Sequence, residues 1–264
     1  MRPVLPVSPD ATHQRVELHG LAFDRLDEAG AVRIIIDGCR SDGGGWACPV
    51  NTDVLRQHHR SSAVRALIAE ADLVLADGMP IVWASKLAGS PLPQRVAGSS
   101  MVHALADAAA RTDVRMFLLG GAADTARIAA QRLERDHVGA TVVGTHSPPF
   151  GFEADPGAGR AIEESLLAVR PDLVFVGLGF PKQEELIRRL RPLLPTTWFV
   201  SSGATFSFLS GDVRRAPEWA QRLGLEWLHR LVQEPRRLFR RYLIEGVPFV
   251  LGFLATAVVS RFTR

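Results

Sequence analysis

Up to Gly203 the apolar residues fall into two alternating rhythms. Short apolar runs have strand length: Val50 with its neighbours, Leu73–Ala76, Met116–Leu119, Thr141–Gly144, Leu173–Gly177 and Trp198–Val200. Between them apolar residues recur at helical spacing. Ser62–Ala71 carries Val64, Leu67, Ile68 and Ala71, and Ala122–Arg135 carries Ala126, Ala129, Ala130 and Leu133. Pro181–Leu190 carries Leu186, Ile187 and Leu190. Strands alternating with helices predict an α/β fold: a mainly parallel, Rossmann-like sheet with helices on both faces. The unbroken run Leu173-Val174-Phe175-Val176 suits a sheet buried on both sides.

After Gly203 the strand rhythm stops, and helical segments rich in Arg, Leu and Trp follow. Gly211–Pro217 reads as a hinge, so residues 1–210 form the α/β core and residues 211–264 a helical C-terminal appendage. In the appendage Arg236, Arg237, Arg240 and Arg241 share one helical arc, and Leu238, Phe239, Tyr242 and Leu243 fill the opposite one. The apolar run Val247–Val259 comes next, then Arg261 and Arg264. The run is shorter than the ~20 residues of a spanning helix. It reads as membrane-associating, lying at the bilayer surface or packing on a subunit, with arginines suited to anionic headgroups.

Composition narrows the class. The chain has 264 residues, 47% hydrophobic and 22% charged, enough for a core without disulfide or metal staples. Cys39 and Cys48 have no metal or disulfide-framework spacing, and the first ten residues lack an apolar signal core. Both features point to the cytoplasm. A net charge of +3 makes no case for nucleic acid, and no nucleic-acid motif accompanies the basic segment. His58-His59 and the other histidines show no ligand spacing, so no metal is expected and most should be surface or turn residues.

Ligands of such sheets bind at the carboxyl ends of the strands. Here those ends are Pro49-Val50-Asn51-Thr52, Ala76-Asp77-Gly78, Leu119-Gly120-Gly121 and Gly177-Leu178-Gly179. A partly desolvated Asp77 suits a general base, although Asp-Gly is also a common turn pair. Asn51 and Thr52 suit ligand binding or helix capping, with capping the plainer reading for Thr52. Gly120 and Gly121 suit a phosphate cradle or close strand–helix packing, and no Gly-x-Gly-x-x-Gly supports dinucleotide binding. Gln183 and Glu184 fall at a helix start facing the same edge.

Several stretches in order resemble the WecG/TagA/CpsF family of bacterial glycosyltransferases. They are Ala71–Pro80, Arg95-Val96-Ala97-Gly98, Val176–Glu184, Arg215–Trp219, Gly224–Leu231 and Glu234–Arg237, within a resemblance from about residue 15 to about 245. The resemblance implies inverting transfer from a UDP-sugar, N-acetylmannosamine-like or another hexose, to a sugar on a polyprenyl diphosphate, in cell-surface polysaccharide synthesis. It implies Asp77 as catalytic base, with Asn51, Arg95 and Gln183 in the pocket. It implies that Arg214, Arg230, Arg237 and Arg241 meet the acceptor diphosphate or the membrane. The expected location is peripheral, on the cytoplasmic face of the bacterial inner membrane. No cofactor is implied, and a homo-oligomer is compatible with the pattern.

The chain departs from the family pattern at Pro49, where Thr is usual, and at Gln94, Ser100 and Ser207, where acids are usual. Those lost acids motivate an alternative: a non-catalytic membrane-associated assembly partner with the same fold.

Overall fold

The computed structural model describes residues 14–262. Among them, six parallel strands form one sheet: β3 (Gly45–Val50), β4 (Leu73–Ala76), β5 (Arg115–Gly120), β6 (Thr141–His146), β7 (Leu173–Gly177) and β8 (Trp198–Ser201), in the order β4-β3-β8-β7-β5-β6. Each strand run read from the sequence lies within one of them. An antiparallel hairpin, β1 (Arg15–Leu18) and β2 (Leu21–Asp24), precedes the sheet. Its two-residue loop places His19 and Gly20 at φ +54° and +78°, the paired left-handed conformation that matches strand twist. Four-residue strands joined by His-Gly carry little sequence signal, and the periodicity did not reveal this hairpin.

The helices are α1 (Glu28–Arg40), α2 (Thr52–Arg60), α3 (Ser62–Ile68), α4 (Met79–Leu87), α5 (Gly98–Ala109), α6 (Thr125–Asp136), α7 (Pro156–Val169), α8 (Lys182–Leu190), α9 (Thr205–Ser210), α10 (Glu218–Arg222), α11 (Glu226–Gln233), α12 (Pro235–Phe239) and α13 (Val247–Ser260). Strand residues alternate between two cores. Val74, Phe117, Leu119, Val174 and Val176 pack with α2, α3, α4, α7 and α8. Leu73, Leu75, Met116, Leu118, Leu173 and Phe175 pack with α1, α5, α6 and α9. A fully buried Leu or Phe contributes roughly 1.5–3 kcal/mol relative to exposure, so burial on both faces holds the sheet firmly.

Past α9, residues 211–217 form a helix-free connection and only helices follow. The apolar C-terminal run is the second half of one continuous helix, Pro235–Ser260, which includes a π-helical stretch at Arg240–Gly246. Its 26 residues are long and apolar enough to cross a membrane by length and composition. This corrects the length inferred from the apolar run alone. One face docks on the core through the buried Phe253 and Ala257, with Phe249 and Leu254 packed alongside. The other face leaves Leu251 and Val259 more than 60% exposed. The predicted arcs hold only in part, because Leu238 is buried while Phe239 is 52% exposed.

The described histidines lie mostly at the surface, as expected, with His58 the exception, and His13 lies outside the described residues. His58 is buried, His59 is exposed, and His19, His103, His137, His146 and His229 are half-buried. Among the described residues, no group of three or more His, Cys, Asp or Glu could hold a metal ion.

Candidate active site

Asp77 directly follows β4, and its N–H donates to the Val50 carbonyl at 2.9 Å. The Val96 N–H donates to the Ala76 carbonyl at 2.8 Å, drawing Arg95 to the same corner. Among the described residues no hydrogen bond or ion pair reaches the half-buried Asp77 carboxylate. Burial pushes its pKa up from the ordinary carboxylate value to about 6. Arg95 opposes that rise, Glu226 adds to it, and Arg215 and Arg230 oppose it.

Three of these four neighbours come from beyond residue 210. Arg95 Nη1 donates to Glu226 Oε2 at 2.6 Å and Nη2 to Gln221 Oε1 at 3.3 Å. Arg215 Nε lies 4.0 Å from Glu226 Oε1, and the Arg230 guanidinium sits 5.5 Å over the Phe208 ring. Among the described residues the buried Nε atoms of Arg215 and Arg230 have no hydrogen-bond partner. Arg214, anticipated from the resemblance, is exposed, and it is its neighbour Arg215 that meets Asp77 electrostatically. Arg215 and Glu226 stand in the stretches that carry the resemblance. No periodicity marks either as a site residue, because their partners are distant in sequence.

Arg237 and Arg241 lie elsewhere. Arg241 Nη2 pairs with Asp53 Oδ2 at 2.8 Å, and Arg56 Nη2 bridges Asp53 Oδ1 and Glu245 Oε2 at 2.7 and 2.9 Å. This network fastens the C-terminal helix to the start of α2. Arg237 is exposed and pairs with Glu234 at 2.5 Å. With Arg56, Arg240 and Phe180, these arginines line an open depression of about 450 Å³ that Asp77 does not border.

Asn51 is the residue that caps α2: its Oδ1 accepts from the N–H groups of Asp53 and Val54 at 3.0 and 3.1 Å. Thr52 begins the helix instead. Among the described residues the Asn51 Nδ2 has no protein acceptor, so that donor is open to a ligand. Gln183 is buried, and its Oε1 accepts from the N–H groups of Gly179 and Gly203 at 3.2 and 3.1 Å. Its Nε2 donates to Glu184 Oε1 at 2.7 Å. Gln183 thus ties the loops after β7 and β8 together. Burial pushes Glu184 up to about 7.

A second corner lies between β5 and β7. The chain leaves β5 toward β6 and leaves β7 toward β8 on the other side, which makes this the crevice where doubly wound sheets bind ligands. Gly120, with φ +126°, faces Gly177 so closely that a Cβ would stand 2.4 Å from the Gly177 carbonyl oxygen. The Gly121 N–H donates to that oxygen at 3.0 Å. These glycines are required by close strand approach, and they floor the crevice.

The departures from the family pattern have local explanations at two positions. Ser100 Oγ donates to the Glu28 carboxylate, so α1 supplies an acid beside it. Gln94 is exposed.

The profile described as Glycosyl transferase WecG/TagA/CpsF family matches residues 16–262. A Bacillus spizizenii protein named N-acetylglucosaminyldiphosphoundecaprenol N-acetyl-beta-D-mannosaminyltransferase is 34% identical over 200 residues, covering 76% of this chain and 75% of that protein. The Bacillus subtilis protein of the same name is 30% identical over 171 residues, covering 65% of this chain and 64% of that protein.

Proposed function

As this chain belongs to the WecG/TagA/CpsF family of glycosyl transferases, we propose that it transfers an N-acetylmannosamine-like sugar from a UDP donor, with inversion, to a polyprenyl-diphosphate-linked sugar. It is a glycosyltransferase, and its named relatives act on a diphosphoundecaprenol-linked N-acetylglucosamine. One observation carries the mechanism: a partly desolvated Asp77 carboxylate, unpaired among the described residues and faced by Arg95, Arg215 and Arg230.

In this reading Asp77 takes the proton of the acceptor hydroxyl as its oxygen attacks the anomeric carbon. The bond from that carbon to the UDP oxygen breaks on the opposite face. Arg215 and Arg230, whose Nε donors are unpartnered among the described residues, offset the charge developing on the leaving diphosphate. The β5–β7 crevice suits the nucleotide, and the Nδ2 of Asn51 suits a sugar or phosphate oxygen. Residues 211–264 act as an appendage that completes the site at the cytoplasmic face of the membrane. The polymer served is a cell-surface polysaccharide.

The test is UDP release from a panel of UDP- and GDP-sugars, with and without short polyprenyl-diphosphate-sugar acceptors. Acceptor-dependent release from a UDP-sugar is expected. No release with any pair, from folded protein, sinks the reading and favours the non-catalytic alternative.

The pH profile follows from the state of Asp77. A base must be unprotonated, so kcat/KM rises with pH and levels off above about 6, where the carboxyl ionises. A limb near pH 4, measured with the same substrates, would assign the proton transfer to a solvated carboxylate instead.

The exposed face of α13 predicts lipid contact. Leu251→Glu combined with Val259→Glu alters only exposed positions, and each costs roughly 1.5 kcal/mol or more of apolar transfer. The double variant should partition into anionic vesicles at least about tenfold less in flotation, with an unchanged melting temperature. Equal flotation would mean that this face does not meet lipid.

A further inference from the structure

Glu226 belongs to the appendage, yet its side chain is only 19% exposed. Its Oε2 accepts from Arg95 Nη1 at 2.6 Å, and its Oε1 lies 4.0 Å from Arg215 Nε. The other Arg95 terminus donates to Gln221 Oε1, also on the appendage, and Gln221 Nε2 donates to the Ala216 carbonyl at 2.7 Å. Both ends of the Arg95 guanidinium are therefore taken by the appendage. Asp77, which Arg95 also addresses electrostatically, receives neither end.

That division of partners matters for a base. A guanidinium next to a carboxylate tends to form short charge-assisted hydrogen bonds with it. A carboxylate so paired holds its charge more firmly and binds protons less well. Among the described residues Arg95 has the carboxylates of Glu226 and Asp77 within its influence, and of these Asp77 must stay free to take a proton.

Resting on the function proposed above, we infer that Glu226 is a positioning residue that holds Arg95 away from Asp77, so that Asp77 is an unpaired base only while the appendage is seated on the core. The seat lies beside the base. Gly224, at φ +69°, sits so close to α4 that a Cβ would stand 2.9 Å from Met79 Cβ and 3.0 Å from Trp83. Met79 is two residues beyond Asp77. With the appendage lifted, Glu226 and Gln221 leave together, Arg95 turns to Asp77, and the base is quenched away from the membrane.

Among the described residues the charged groups facing Asp77 are Arg95, Arg215, Arg230 and Glu226. Removing the Glu226 charge acts in one direction by two routes. It deletes a like charge that favours the protonated form, and it frees Arg95 to pair with the ionised form.

The test is a 13C carboxyl titration of the full-length protein, with Asp77 assigned from the Asp77→Asn difference spectrum. The wild-type midpoint is expected near 6. Glu226→Gln should lower it by at least about one pH unit, a tenfold loss of proton affinity, and Glu226→Asp should restore most of it. Arg95→Gln should raise the midpoint. In an Arg95→Gln background the Glu226→Gln shift should shrink by half or more. An unmoved midpoint in folded Glu226→Gln overturns the inference. So does a full-sized shift that persists without Arg95, because the effect is then the direct charge alone. If Glu226→Gln does not fold, Arg95→Gln decides, and a midpoint that fails to rise overturns the inference.

The rate readout is separate. The acid limb of kcat/KM should move down with the midpoint and its plateau should fall, whereas a uniform loss with an unmoved limb marks a merely structural role and also overturns it. Full activity in Asp77→Asn defeats the underlying function, a result recognisable apart from any Glu226 outcome.

Discussion

Asp77→Asn lowers sugar transfer by about 10²–10⁴-fold, the span that a positioned general base contributes. Among the described residues the Asp77 side chain holds no partner that the substitution could remove. It makes no hydrogen bond or ion pair with them, and only its backbone N–H is engaged, with Val50. An amide of the same shape therefore breaks no contact. The effect on stability has a definite sign. Folding raises the pKa of Asp77 to about 6, so the group favours the folded state at low pH. That favour is lost as pH rises from the ordinary carboxylate value, near 4, through about 6. Above that window the buried charge is a cost, and asparagine removes it. The variant should melt no lower than wild type at pH 7.5 while its single-turnover rate collapses. Retained transfer would remove Asp77 from the base role. Lost transfer with a lost melt would show that the carboxylate was structural.

Gly120→Ala is the largest expected effect on the fold. The φ of +126° strains an L side chain, and the new Cβ would meet the Gly177 carbonyl oxygen at 2.4 Å and its carbon at 2.6 Å. Both are backbone atoms of a central strand and cannot swing aside as a side chain does. Backbone strain costs about 1–3 kcal/mol, and overpacking about 1–3 kcal/mol more. Against a typical stability of about 5–15 kcal/mol, the sum is a large share. A fall in melting temperature on the order of 10 °C is expected for a chain of this size, together with weaker UDP binding as the crevice widens. Melting curves with and without UDP check both effects. A melt within about 2 °C of wild type would mean that the two strand ends are not held as closely as described.

Much of this protein was legible one residue at a time. Apolar runs such as Leu73–Ala76 and Leu173–Gly177 announce strands buried on both faces, and α3, α6 and α8 follow from their spacing, because each element's burial pattern is local. The carboxyl-edge candidates Asp77, Asn51, Gly120 and Gln183 follow from the same rhythm, since the ends of parallel strands gather on one edge. Family likeness named the arginines without saying where each one points.

The tertiary structure decided the partners. Asn51 Oδ1 is committed to a helix cap, and the Gln183 amide is committed to tying two loops. Arg215 rather than Arg214 addresses Asp77, and Arg241 fastens the last helix to α2. Arg95 meets Glu226 across 131 positions of chain. Hydrophobic periodicity is short-range, because burial depends on which face of an element a residue occupies. A charge chooses its partner only after folding has brought distant segments together, and burial then sets how strongly it holds its proton. Local pattern therefore fixes the layered sheet and the edge that carries the candidate site. Only the folded chain decided that the Asp77 carboxylate, among the described residues, is left without a hydrogen-bond or ion-pair partner beside Arg95.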